Sequence, residues 1–525
     1  MAWPPRRVAI PIDRRGSSVM IMTHTMTTHP AGYQKLLKRL REVSLLNSTS
    51  CALEWDQNTY MPPGALAYRA EQLAYLGGRS HRLFTAGAVG DLLSECEQQN
   101  FAPDSAEGAN VREWRRHYDR AAKLPGSFVT KLERTKALAF ETWREARAQS
   151  KFKLFKPHLA KIVALIRQKA EYLGYEASPY DALLEAYEPG ARAEQITRLF
   201  AELRPAIVAL LDRVRDRSST LPENGLHGNY PVVAQQAFNR RVAEGIGFDF
   251  SAGRIDTTAH PFCNTLGAGD CRLTTRYHEN DFTDSLYSIL HEAGHGLYEQ
   301  GLPPEHFGTP AGSAVSMGIH ESQSRLWENH VGRSLAFWTV WHPVACEYFP
   351  SLKALTAEQV CAAVNRVRLS FIRTEADQVT YDLHIMLRFE IEQKLVTRQL
   401  EVADVPAYWN EHFEQMSGLK VTKDSDGCLQ DVHWSGGGIG YFPTYTLGNL
   451  NAAQLMHQAR QENASLDDDL RRGQYQSLLG WLRKKVHQEG SRLRPGELME
   501  KVTGERTSIR YHLEHLRAKF DHGNG

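Results

Sequence analysis

The chain reads as a mainly α-helical protein with one small β-sheet, and three observations carry that reading. Long stretches repeat apolar residues at helical spacing, period-two alternation is confined to short runs, and no linker-like segment divides the polar motifs between residues 260 and 434. One folded unit over residues 31–525 is therefore expected, since the motifs have to meet in one structure.

In chain order, helices are expected over residues 33–48, 65–99, 109–124, 133–149, 159–174 and 191–217. Strand signal appears at 270–274, where Asp270, Arg272 and Thr274 alternate with Cys271 and Leu273 and so share one face. That ledge reads equally as a surface strand with an Asp/Arg pair. A helix follows over 284–300, with Leu286, Ile289, Leu290, Ala293 and Leu297 on one side, Thr283 or Asp284 as N-cap and Gly301 as stop. A loop rich in Gly and Pro leads into a helix over 316–333, whose packed face carries Leu326, Trp327 and Val331. Residues 364–396 read as one long helix and 427–445 as a loop.

The first 30 residues set Arg6, Arg7, Arg14 and Arg15 against the single acid Asp13, with Pro4, Pro5 and Pro11 among them. That composition predicts a disordered tail, or a start mis-assigned upstream of Met20, Met22 or Met26.

The chemistry concentrates in H-E-A-G-H, His291 to His295. On a helix, residues i and i+4 share a face, so His291 and His295 can offer two imidazoles to one metal ion. Glu292 then sits where a carboxylate takes a proton from metal-bound water. A catalytic site needs a third protein ligand, and Glu321 is the first choice, with His320 and Glu328 as alternatives that spacing leaves open.

The ordered motifs resemble the M32 family of metallocarboxypeptidases, the thermostable carboxypeptidase type. They are H-P-F (His260, Pro261, Phe262), D-x-R-x-T (Asp270, Arg272, Thr274), H-E-x-x-H, H-E-S-Q (His320 to Gln323), I-R-x-x-A-D (Ile372, Arg373, Ala376, Asp377) and G-x-x-Q-D-x-H-W (Gly427, Gln430, Asp431, His433, Trp434). An early W-D-x-x-T-x-M-P-x-G runs from Trp55 to Gly64. The resemblance implies a zincin-like helical peptidase with a deep substrate groove, and a small sheet near a metal held by His291, His295 and Glu321. Glu292 is then the general base. Zn2+, replaceable by Co2+ or Mn2+, is expected at one ion per subunit. The family also implies a homodimer acting on peptides with a free C-terminus, with broad specificity.

The remaining motif residues are expected along the substrate, including Ser322 and Gln323, with Tyr441 and Tyr445 just beyond. A guanidinium matches a terminal carboxylate in charge and shape, and Arg373 is preferred over Arg272 for that role. Read without the family, Arg373 and Asp377 would be an ordinary surface salt bridge at i, i+4. His433 or a tyrosine is expected to stabilise the oxyanion. The run Gly437-Gly438-Ile439-Gly440 lacks the Lys-Ser/Thr that a phosphate loop needs. An endo-acting oligopeptidase and a non-catalytic binding protein are the competing functions.

Lys and Arg number 62 against 61 Asp and Glu, a formal charge of +1, which argues against nucleic-acid or acidic-membrane partners. The run Arg483-Lys484-Lys485 reads as a solvated helix face. Seven cysteines, odd in number and without C-x-x-C spacing, suggest reduced thiols and the cytoplasm. No apolar run approaches the roughly 20 residues that a membrane span needs.

Overall fold

The computed structural model describes residues 29–218 and 226–521. The tail expected over 1–30 lies outside them but for its last two residues. Helices α1 (Ala31–Thr59), α2 (Leu66–Phe84), α3 (Gly87–Glu97), α4 (Ala106–Ala122), α5 (Gly126–Ala148), α6 (Phe152–Leu173), α7 (Pro179–Leu184), α8 (Ala193–Ser218) and α9 (Val232–Gly245) precede the sheet. After strands β1 (Gly253–Thr257), β2 (Cys263–Gly267) and β3 (Asp270–Thr275) come α10 (Phe282–Glu299), α11 (Met317–Arg325), α12 (Leu335–Tyr348), α13 (Ala357–Val364) and α14 (Tyr381–Val396). The rest is α15 (Val405–Ser417), α16 (Pro443–Glu462), α17 (Leu466–Arg471), α18 (Gln476–Lys485), α19 (Pro495–Thr503) and α20 (Arg510–Leu516).

The helices expected before residue 218 are present, but α5 and α6 each start seven residues earlier than expected, α7 was not expected, and two further changes bear on packing. α1 runs on to Thr59 and so carries Trp55 and Asp56. The stretch 65–99 is two helices, because Thr85 bonds back to the His81 carbonyl at 2.8 Å and Ala86 turns extended. The turn lets α3 bury Val89, Leu93 and Cys96 with Leu36 and Leu40 of α1.

Two larger cores flank a cleft of about 1490 Å³. One gathers Ile162, Leu203, Leu387 and Trp409; the other gathers Phe238, Leu290, Trp338 and Leu479. α16 belongs to both, with Leu447 and Leu450 in the first and Leu455 and Met456 in the second. Burying each such aliphatic or Phe side chain stabilises the fold by about 1.5–3 kcal/mol.

In the sheet, β3 is central, parallel to β1 and antiparallel to β2. Its Cys271 and Leu273 face α10, where a Cβ on Gly296 would meet Leu273. The opposite face carries Asp270 and Arg272, bonded at 2.7 Å, with the guanidinium 4.4 Å from the Trp55 ring. The polar residues thus share a face as expected, but that face is covered by α1.

The segment 364–396 is not one helix. α13 ends at Val364, and α14 begins at Tyr381. Between them, Asp377 accepts the backbone N–H groups of Arg368, Val379 and Thr380, and the Thr380 hydroxyl. A short acid that satisfies backbone donors in this way favours a loop over continued helix. Arg373 and Asp377 are therefore not helical neighbours.

Candidate metal centre and active site

The site is assembled where α10 crosses α11. Asp281, not Thr283 or Asp284, caps α10, accepting the Thr283 N–H at 2.8 Å, while Asp284 is occupied by Arg276. The helices touch at Gly294, where a Cβ would lie 2.6 Å from Ser324 Cα. This contact brings Glu321 Oε2 to 3.6 Å from His291 Nε2 and 3.5 Å from His295 Nε2. Donor atoms of the three residues lie within 4.8 Å of one another, and two imidazoles with a carboxylate suit a divalent transition metal.

The alternatives to Glu321 are used otherwise. Glu328 Oε2 is 3.0 Å from His291 Nδ1, and its carboxylate also meets Arg325 and Arg333 at 3.3 Å each. It thereby fixes the His291 tautomer with Nε2 free to ligate. The chain forms a π-helix over Leu326–Gly332, which includes Glu328. Arg325 Nε holds Glu321 Oε1 at 2.7 Å, leaving Oε2 toward the histidines. His320 has both ring nitrogens engaged, Nε2 with Glu299 at 2.9 Å and Nδ1 with His295 Nδ1 at 2.6 Å.

Glu292 lies in the cleft lining beside this triad. Burial pushes its carboxyl up to about 7, with the neighbouring Glu321 adding to the rise and His291 opposing it. A carboxyl that titrates near neutrality can both take and return a proton.

On another wall, Arg373 and Arg388 share one carboxylate, Asp431, at 3.0 and 2.5 Å. Arg373 Nη1 donates to the Tyr381 hydroxyl at 2.9 Å, and Gln430 anchors the Arg373 backbone N–H at 2.8 Å. Desolvation opposes the Asp431 charge, but the two guanidiniums hold its carboxyl well below the usual range. Arg388 Nη2 is buried with no partner. Two cations against one anion leave an excess positive charge beside the cleft. His433, its Nε2 3.3 Å from the Tyr445 hydroxyl, is pushed down to about 4, chiefly by burial, and is neutral at pH 7.

Of the expected substrate residues, His260, Pro261, Ile372, Arg373, Ala376, Asp377, Gln430, Asp431, His433 and Tyr445 line the cleft. Others stand behind it. Thr274 Oγ1 accepts the Phe262 N–H at 2.8 Å and bonds its carbonyl at 3.0 Å, holding the H-P-F turn in place. Ser322 bonds the Ile319 carbonyl, Gln323 reaches His487, and Trp434 donates to Glu392. Gly427 accepts from Gln430 Nε2 at 3.1 Å, and the Tyr441 ring packs against His433 and Tyr445. Arg272, tied to Asp270 over Trp55, faces away from the metal triad. Tyr445 stands on a helix, since the loop expected to Tyr445 ends at Phe442 and α16 starts at Pro443.

Sequence reasoning missed Arg325, Glu299 and Arg388. The first two had a signal: Arg325 lies four residues after Glu321, and Glu299 four after His295. Arg388 had none, because its partner Asp431 is 43 residues away.

A helical body split by a cleft, with two histidines one turn apart, an intervening acid and a carboxylate from the next helix, defines a helical metallopeptidase. The model of one family, the Carboxypeptidase Taq (M32) metallopeptidases, matches residues 35–520. The chain is 44% identical to Thermostable carboxypeptidase 1 of Thermus thermophilus, over 94% of this chain and 99% of that protein. It is 34% identical to Carboxypeptidase 1 of Bacillus subtilis, over 94% and 98%. An M32 carboxypeptidase structure from Deinococcus radiodurans superposes with a TM-score of 0.91 at 39% identity, covering 94% of this chain and 99% of that one. The protein belongs to the M32 metallopeptidase family.

Proposed function

We propose that the protein is a metal-dependent carboxypeptidase that removes C-terminal residues from peptides, with broad acceptance of the departing side chain. The observation that carries the direction of cutting is the buried Arg373, which lines the same cleft as His291 and Glu292 and, with Arg388 behind it, sets two cations against the one anion Asp431. A free terminal carboxylate is the anion that balances it. A cleft of this size, lined by mixed polar and aromatic side chains, supports broad specificity.

His291, His295 and Glu321 are the residues that would hold the ion, and zinc best suits two imidazoles and a carboxylate, with cobalt or manganese as substitutes. When bound, one ion per subunit supplies Lewis acidity to the water and the scissile carbonyl. Glu292 accepts the proton of the attacking water on its carboxylate and returns it to the leaving amine. Neutral His433, beside Tyr445, orients a hydroxyl donor toward the developing oxyanion. Arg373 fixes the terminal carboxylate, so that the last peptide bond is the one presented.

Self-association as a homodimer is supported by Leu45, Leu66, Tyr68 and Tyr75 of α1 and α2, each more than half exposed. All seven cysteines are free, including Cys263 and Cys271 with sulfurs 3.6 Å apart, which supports a reducing compartment such as the cytoplasm. No described helix is long and apolar enough to cross a membrane. That the cleft draws on residues from Phe140 to Phe520 supports 31–525 acting as one catalytic unit.

The test is mass spectrometry of digests of one peptide as free acid and as C-terminal amide, with metal analysis of the protein. A ladder from the carboxyl end, seen for the acid and suppressed for the amide, is expected. Internal cleavage of both would overturn the reading in favour of an endopeptidase.

A further inference from the structure

We propose that Glu299 and His320 form a positioning relay for the metal ligand His295, so that the first residue of H-E-S-Q serves the metal and not the substrate. The inference rests on the metal centre in the functional reading above.

The hydrogen-bond geometry favours one arrangement of the protons in the chain. Glu299 is an acceptor, so His320 Nε2, 2.9 Å from Glu299 Oε1, carries the proton of that bond. With that one proton on the ring, Nδ1 presents a lone pair. That lone pair lies 2.6 Å from His295 Nδ1, which must therefore be the donor. His295 in turn keeps a lone pair at Nε2, the atom 3.5 Å from Glu321 Oε2. Tautomer choice thus passes from a carboxylate through one imidazole to the next. Moving the His320 proton to Nδ1 would set two N–H groups against each other at 2.6 Å, and moving the His295 proton to Nε2 would set two lone pairs there.

The His320 carbonyl is a second acceptor for His295 Nδ1, at 3.1 Å. If that carbonyl alone oriented the ligand, the His320 ring would be dispensable. The ring is nevertheless anchored at both ends, is only slightly exposed, and lies tilted against the Tyr298 ring, 5.4 Å between centroids. The charge of Glu299, delivered through the ring, makes His295 a stronger donor to a cation, as carboxylate–histidine pairs do at other metal sites.

His291 receives the same service from Glu328 directly. The two ligands of H-E-x-x-H are thus oriented by carboxylates at different removes, one of them contributed by α10 itself, four residues beyond His295.

The test measures zinc affinity by chelator competition in the full-length protein, and the visible spectrum of the cobalt-loaded form, independently of peptidase activity. His320→Asn keeps the backbone carbonyl and removes the relay ring; Glu299→Gln keeps shape and removes charge. Each is expected to weaken zinc binding roughly 10- to 100-fold and to shift the cobalt spectrum. The double variant should be no weaker than the more affected single one, because the residues act in series. Glu299→Asp should recover part of the loss. Zinc affinity within about twofold of the parent in folded His320→Asn would overturn the relay, as would losses that multiply in the double variant. If His320→Asn fails to fold, Glu299→Gln and its Asp counterpart decide alone. A parent protein that binds no zinc would instead sink the metallopeptidase reading.

Discussion

A Cβ placed on Gly448 would lie 2.4 Å from Cγ of Glu321 and 3.1 Å from its backbone carbonyl carbon. Glu321, the candidate ligand on α11, is thus backed directly by α16, with no side chain between them. Because the near atoms include Cβ and backbone, a substituent cannot be accommodated by swinging the carboxylate aside. Gly448→Ala is expected to cost about 1–3 kcal/mol by overpacking and to displace Glu321. Thermal unfolding of the metal-free protein and zinc affinity should both fall; an unchanged affinity would show that α11 yields elsewhere.

In the proposed mechanism Glu292 is a base and not a ligand, which separates two measurements. Glu292→Gln preserves size and removes the proton acceptor, so metal content should match the parent while kcat falls by roughly 10²- to 10⁴-fold. Metal loss in parallel with activity would argue that Glu292 supports the site and not the chemistry.

Much of this site was legible in the sequence because its parts are local. His291, Glu292 and His295 need only a helix to become a cluster, and Asp270, Arg272 and Thr274 need only a strand to share a face. What was not legible depends on contacts between distant segments. Whether the strand's polar face looks into the cleft or onto Trp55 is decided by where α1 packs. The break at 365–380 comes from Asp377 outcompeting helical hydrogen bonds, an outcome that apolar periodicity does not register. Arg388 entered the site only when Asp431 came back to meet it.

Removing Arg373 is milder than removing most buried charges, because Asp431 keeps Arg388 and the pair left behind is neutral. Arg373→Met should therefore fold. Its preference for free-acid over amidated peptides should drop by roughly 10- to 100-fold, the worth of hydrogen bonds to a charged group. Arg373→Lys should restore only part, since an ammonium lacks the planar fork. Equal kcat/KM ratios for the two peptides in parent and variant would remove Arg373 from carboxylate recognition.

Glu188 gives a pH-dependent prediction away from the chemistry. From the turn after α7 it is buried against the start of α11, where its Oε2 accepts the Gly318 N–H at 3.0 Å. Burial outweighs that bond and the Ser316 hydroxyl, and pushes the carboxyl from 4.5 up to about 7. Between these values the folded protein holds a proton that the unfolded chain has released, so stability from this group falls as pH rises from about 4.5 to about 7. The penalty is complete above that window, on the order of 3 kcal/mol. Glu188→Gln keeps an oxygen for Gly318 and has no charge to desolvate. In metal-free protein, denaturant unfolding should show the variant more stable than the parent at pH 8, with the difference closing toward pH 4.5. A variant that is less stable at pH 8 would mean that the ionised carboxylate is favoured there, with the positive end of α11 outweighing its burial.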